Sequence, residues 1–204
     1  MSKRILPFML SSVIALSGPA DAGDNQLESW YTYWGLGYVN NNYPGELQDL
    51  LDEIDDLPGG DVDHLALALD IFGFYWPRGD RTLVGGIANG SVDTYEVTLF
   101  GEDLEIDIYN YLYGVSGMHF LANEIGRGPF VRVDLGLARH VVEAEALGEK
   151  DEEASEWGTG ILLGGGYGIP VTSGTRLLVN ANYALRRVEG ETTSSLVISL
   201  NGLF

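Results

Sequence analysis

The sequence predicts an all-β chain: an eight-stranded antiparallel up-and-down transmembrane β-barrel with a short amphipathic helix in the first outer loop. Three observations carry that expectation. The residues from Ser194 to Phe204 alternate almost strictly, with Leu196, Ile198, Leu200, Gly202 and Phe204 on one side and Ser195, Val197, Ser199 and Asn201 on the other. A two-residue period is the mark of a strand with one apolar and one polar face. No segment after residue 22 approaches the roughly 18 consecutive apolar residues of a membrane helix. Glycine is abundant, at 28 residues, and tyrosine and tryptophan are plentiful. Inside hydrocarbon every backbone amide must be paired, so a chain that crosses without helices must close into a barrel.

Residues 1–22 stand apart from the fold. Lys3 and Arg4 form a basic start, Ile5 to Leu16 a short apolar stretch, and Ala20-Asp21-Ala22 a small-x-small cleavage pattern. This is the layout of a secretory signal peptide, which leaves residues 23–204 as one barrel domain with Gly23 as its first residue.

Eight segments of crossing length follow, over 29–39, 63–76, 81–90, 104–121, 129–142, 157–170, 174–188 and 192–204. Each reaches the roughly 9–11 tilted residues that a transmembrane strand needs. The second sets Leu65, Leu67, Leu69 and Ile71 against His64, Ala66, Ala68 and Asp70. The fifth sets Val131, Val133, Leu135 and Leu137 against Arg132, Asp134, Gly136 and Ala138. The sixth places Trp157, Ile161, Leu163 and Tyr167 opposite a row of glycines, and the seventh places Leu177, Val179, Ala181, Tyr183 and Leu185 opposite Arg176, Asn180, Asn182 and Arg186. In the first and third segments Gly35, Gly37, Gly85 and Gly86 blur the alternation. Short connections rich in Gly, Pro and Asp follow the second, fourth and sixth segments, as tight reversals require. Long polar ones follow the first, third and fifth. Within the first of these, Pro44 to Leu57 reads as an amphipathic helix whose apolar face is Leu47, Leu50, Leu51, Ile54 and Leu57, stopped by Pro58-Gly59-Gly60. Its polar face is acidic, which suits a lid over the barrel mouth better than a helix for membrane surfaces.

A closing strand with Phe204 last resembles that of the small eight-stranded bacterial outer-membrane β-barrels, over residues 29–204. Gly202 stands where that strand often carries a bulkier residue. The resemblance implies an insertion signal at Leu196, Ile198, Leu200 and Phe204, read by the barrel insertion machinery. It also implies extracellular long loops, periplasmic short turns and termini, and outer-membrane lipids and lipopolysaccharide as surroundings. The competing arrangement, a soluble barrel with apolar residues inside, is opposed by the terminal Phe, the Gly-rich faces, and the arginines and asparagines that share a face.

The inward set is Asp70, Arg132, Asp134, Arg176, Asn180, Asn182, Arg186 and Asn201. An eight-stranded barrel is wide enough only for its own side chains or one small ligand, and unpaired buried charges are costly. These residues should therefore form a polar plug. The alternative for the same set is a gated proton or ion path.

The formal net charge is −19, and loss of residues 1–22 removes two basic residues and one acidic residue, giving −20. Most of the acids fall in the expected outer loops: Glu46 to Asp63 in the first, Asp93 to Asp107 in the second, Glu143 to Glu156 in the third. Such a surface disfavours nucleic acid and favours cationic ligands or divalent cations. No cysteine is present, no EF-hand spacing occurs, and neither a metal nor a cofactor is expected.

Two lipid A-modifying barrel enzymes, a deacylase with a Ser–His–Glu arrangement and a palmitoyltransferase, offer a comparison for catalysis. The deacylase needs His and Ser close on one strand, and the three histidines here (His64, His119, His140) lack that pairing. A meeting of His64 or His140 with Ser155 and Glu143 is not written in the pattern. The expectation is a non-enzymatic surface barrel of structural or interaction role. A narrow channel or small hydrophobic-ligand conduit is the first alternative, and a lipid A-modifying enzyme the second.

Overall fold

Alternation becomes strand in the computed structural model, which describes residues 28–45, 47–49, 51, 61–99, 102–146 and 149–204. Residues 1–22, and Leu50, Ile54 and Leu57 of the expected helix face, lie outside the described residues. The strands are β1 (Tyr31–Asn42), β2 (Asp61–Pro77), β3 (Thr82–Leu99), β4 (Glu102–Phe120), β5 (Gly128–Ala146), β6 (Glu149–Ala154), β7 (Gly158–Pro170), β8 (Arg176–Val188) and β9 (Glu191–Leu203). All pair antiparallel with their neighbours, and β1 pairs with β9 from Tyr33↔Leu203 to Asn42↔Ser194. With β4 on β5 and β5 on β7, eight strands close into a barrel. The ninth, β6, lies outside that closure and pairs with β5 over Val141–Ala146, beyond the reach of β7.

One end of the barrel carries the tight turns after β2, β4 and β7, together with Tyr31 and Phe204. This is the turn end. The other, the loop end, carries the β1–β2 connection, β6, and the two-residue β8–β9 turn. In that turn Glu189 and Gly190 both have positive φ, 53° and 89°, the backbone twist that a two-residue hairpin demands.

Two differences from the sequence expectation concern strand length. The segment 91–103 was expected as a loop, yet β3 and β4 continue through most of it as one long hairpin. Tyr95 and Val97 on β3 point inward and pack with Ile108 of β4, Tyr43 and Leu51, so the ladder is sustained beyond the barrel proper by apolar burial. Asp93, Glu96, Glu105 and Asp107 are therefore strand residues. The 143–156 segment is likewise mostly strand, β5 running into β6. A bulge between Asp70 and Phe72 turns both Ile71 and Phe72 outward, and switches the inward positions from Ala66, Ala68 and Asp70 to Gly73 and Tyr75.

The side chains are sorted inside out. Leu36, Leu65, Val115, Leu135, Leu163, Ile198 and Leu200 are exposed on the exterior. Aromatic rings bracket this belt. Toward the loop end Tyr109, Tyr111 and Tyr113 stack in series, and Tyr113 meets Trp157 edge-on. Toward the turn end Trp34 stacks on Phe204 at 5.6 Å, and Trp30 on Phe74 at 5.2 Å. The members of the expected insertion signal, Leu196, Ile198, Leu200 and Phe204, sit on this outer face of β9 and just after it.

Candidate functional site: a hydrogen-bonded lumen and an acidic mouth

Because every second residue points inward, the lumen is built of side-chain layers. Nearest the turn end is an apolar layer with Leu83, Met118, Phe120, Phe130 and Leu178. Arg176 enters it, its guanidinium 5.4 Å from the Tyr31 ring.

The central layer is ionic. Arg132, 1% exposed, donates from Nη2 to Asp70 at 2.8 Å and to Asp134 at 2.7 Å, from Nε to both oxygens of Asp134, and from Nη1 to the Tyr33 hydroxyl at 2.7 Å. Tyr33 donates to Asp70, Asn201 donates to Asp70 at 2.7 Å, and Asn180 donates to Tyr33 and Asn201. Ser116 and Asn89 donate to Asp134, and Tyr75 to Ser116. Two carboxylates thus share one guanidinium, and neutral donors satisfy the excess negative charge, as a buried ionic group requires. Glycines make room for it. A Cβ at Gly35 would overlap the Asn201 amide, and one at Gly164 the Asn182 amide, so small residues face the wide polar ones across each pair.

Nearer the loop end lies a second polar layer. Arg186 donates from Nη1 to Ser195 at 2.8 Å, and Ser195 donates to Asn41. Asn41 donates to Ser91 and Asp93. Tyr43 donates to Asp93 at 2.7 Å, Asn110 donates to Tyr43 at 3.0 Å and to Ser91 at 3.1 Å, and Asn110 Oδ1 meets His140 Nδ1 at 2.7 Å. Leu51 and Leu47 of the helical residues within 45–51 cover this layer with Tyr95, Val97 and Ile108.

Each of the eight inward residues named from the sequence lies inside the barrel and is buried. Asp70, Arg132, Asp134, Asn180 and Asn201 meet in one network. Asn182, Arg176 and Arg186 occupy other levels. Tyr33, Tyr75, Asn89, Ser91, Asn110 and Ser116 are network members that the sequence reading missed. Extending the inward parity along β1, β3 and β4, through their glycines, leads to Tyr33, Asn89, Ser91, Asn110 and Ser116, whereas the bulge in β2 shifts the parity at Tyr75. Asp93, expected in an outer loop, faces the lumen and is 2% exposed, because β3 continues past the barrel proper.

The histidines do not assemble a hydrolytic site. Ser155 accepts the His140 backbone N–H at 3.0 Å and donates its own proton to the Glu156 carbonyl at 2.9 Å. Glu143 faces outward and pairs with Lys150 at 2.7 Å. His64 stacks on Tyr95 at the mouth, and His119 bonds Thr82 at the opposite end of the barrel. No cluster of three metal-ligating side chains occurs among the described residues.

No protein-family model and no curated protein matches the sequence. Solved structures do. Ail, the attachment invasion locus protein of Yersinia pestis, aligns at 10% identity with a TM-score of 0.50, over 87% of this chain and 100% of that one. The same protein in complex with the heparin analogue sucrose octasulfate aligns at 9% identity and a TM-score of 0.55, over 86% and 97%. Neisserial surface protein A aligns at 13% identity and a TM-score of 0.39, over 85% and 96%. Ail is an outer-membrane protein. At these identities the likeness concerns architecture, and on architecture it agrees with the strand pairing: this chain has the closed eight-stranded fold of the small outer-membrane β-barrels.

Proposed function

We propose that this protein is an integral outer-membrane surface barrel without enzymatic activity, its lumen plugged by its own side chains and its acidic loop end extracellular. The observation that carries the reading is the sorting of side chains, with exposed leucine and valine outside and a satisfied Arg132–Asp70–Asp134 network inside. Water would not tolerate that exterior as the surface of a monomer, whereas hydrocarbon favours it. The central network and the apolar layer beneath it set buried side chains from strands around the barrel into the lumen, which supports a plug over a conduit. The separate engagements of Ser155, Glu143 and His140 support a non-catalytic role. In this reading the tight turns and both termini of the exported chain are periplasmic, and residues 1–22 are the export signal.

The acid-rich loop end favours cations and repels polyanions. In that respect the protein would differ from Ail, which is known in complex with a sulfated heparin analogue. The test is a planar-bilayer recording of the purified protein beside a lipid A mass profile of cells with and without it. The expected result is no unitary conductance and an unchanged acyl pattern. Stable current steps that change with Asp70→Asn would overturn the plug, and an altered acyl pattern lost on His140→Ala would overturn the non-enzymatic reading.

A further inference from the structure

We infer that the barrel mouth holds a binding cleft for a small amphipathic organic cation, a protonated amine on an apolar body, that donates a hydrogen bond to His140 Nε2. The cleft, ≈ 200 Å³ in volume, lies between the β1–β2 connection, β4, β5, the end of β6 with Ser155, and the β8–β9 turn with the start of β9.

Hydrogen-bond direction fixes what the cleft offers. Tyr43 gives its only proton to Asp93. The tyrosine oxygen therefore accepts from Asn110 Nδ2, which fixes Asn110 Oδ1 as an acceptor. His140 Nδ1 meets that oxygen at 2.7 Å and must carry the proton. In its neutral form the ring then has a bare lone pair on Nε2, which pairs with no described residue, and the ring lines the cleft. Such a lone pair calls for a donor.

The rest of the lining specifies which donor. Leu47, Ile108, Val142 and Val188 give apolar walls, and Glu153, Glu189 and Glu191 stand around the opening. Arg186 lies buried below and outside the lining; its Nη1 donates to Ser195, and its Nε is buried with no partner among the described residues. Asp93 and the three rim carboxylates outnumber it. A carboxylate or phosphate ligand would meet those acids and offer no proton to Nε2. An alcohol would satisfy Nε2 and leave the rim unanswered. A protonated amine with an apolar tail satisfies all three features.

The reading rests on the acidic character of the loop end proposed above. Its test is run in an uncharged detergent, so failure here leaves the bilayer result untouched. Imidazole ¹⁵N spectra of the full barrel at neutral pH should show His140 protonated at Nδ1 and bare at Nε2. Hexylammonium chloride should move the Nε2 signal saturably, hexanol at equal concentration should move it less, and hexanoate should not move it. Glu153→Gln combined with Glu191→Gln should weaken the response about tenfold. Glu105→Gln, which lies outside the cleft, should leave it unchanged. A proton found on Nε2, an absent or unsaturable shift, an equal response to hexanol, or indifference to the rim substitutions would each overturn the proposal.

Discussion

Arg132 places five donor contacts on carboxylate oxygens of Asp134 and Asp70 and another on the Tyr33 hydroxyl, so its planar fork is used to capacity. Replacing it strands two buried carboxylates. Arg132→Met should therefore lower the unfolding free energy by about 3–5 kcal/mol, read from urea unfolding in lipid vesicles by the gel shift of folded barrel. Adding Asp70→Asn and Asp134→Asn should return part of that loss, because the stranded charges are then gone. No recovery would mean that the guanidinium acts by volume and not by charge. These three charged residues were legible in the sequence because each interrupts an apolar alternation on its strand. Tyr33 and Tyr75 were not, since tyrosine serves equally as a lipid-facing ring and as a buried donor. Asn89 and Ser91 were hidden by Gly85, Gly86 and Gly90, which erase the contrast between the two faces of β3.

The β3–β4 hairpin shows what a whole element adds. Its outward side, continued onto β2, β5 and β6, aligns Asp63, Glu96, Glu105, Glu145 and Lys150 as direct cross-strand neighbours in one row. Like charges placed opposite one another destabilise a ladder. Glu105 stands clear of the apolar belt, and its pKa is raised by desolvation, then by Asp107, Glu96 and Glu145, with Lys150 opposing. A carboxylate whose folded pKa exceeds its unfolded value costs nothing when both states are protonated, and costs most above the folded pKa. Amides flanking Glu105 should thus be better protected from exchange at pH 4.5 than at pH 7, once intrinsic rates are corrected. Glu105→Gln should shrink that difference, and an undiminished difference would assign it to other groups. The length of this hairpin escaped the sequence reading because acids are frequent in loops. What holds them in a strand is the inward burial of Tyr95, Val97 and Ile108 against Tyr43 and Leu51, a contact with residues far upstream in the chain. The helix face fared in part: Leu47 and Leu51 pack over the second polar layer, and its other members fall outside the described residues.

At the scale of the whole molecule, closure and inside-out sorting were legible because a two-residue period survives through most of the strands. The bulge at Asp70–Phe72 and the added strand β6 were not, since neither alters composition. If hydrocarbon surrounds the exterior, Leu135→Arg in the middle of the belt should cost about 2–4 kcal/mol. Ala154→Arg on β6, exposed beyond the belt, should be near neutral. Equal costs at the two sites would remove the lipid from the account. The rim, finally, is uneven. β8 and β9 join in two residues, while β3, β4 and β5 run on with β6 alongside, so the parapet is high on one flank and low on the other. The low flank, at Val188, Glu189 and Glu191, borders the cleft. A guest can therefore come in sideways, skimming the headgroup plane where amphiphiles already gather. Its search is then across a surface and not through bulk solution, and its tail need never be wholly wetted on the way.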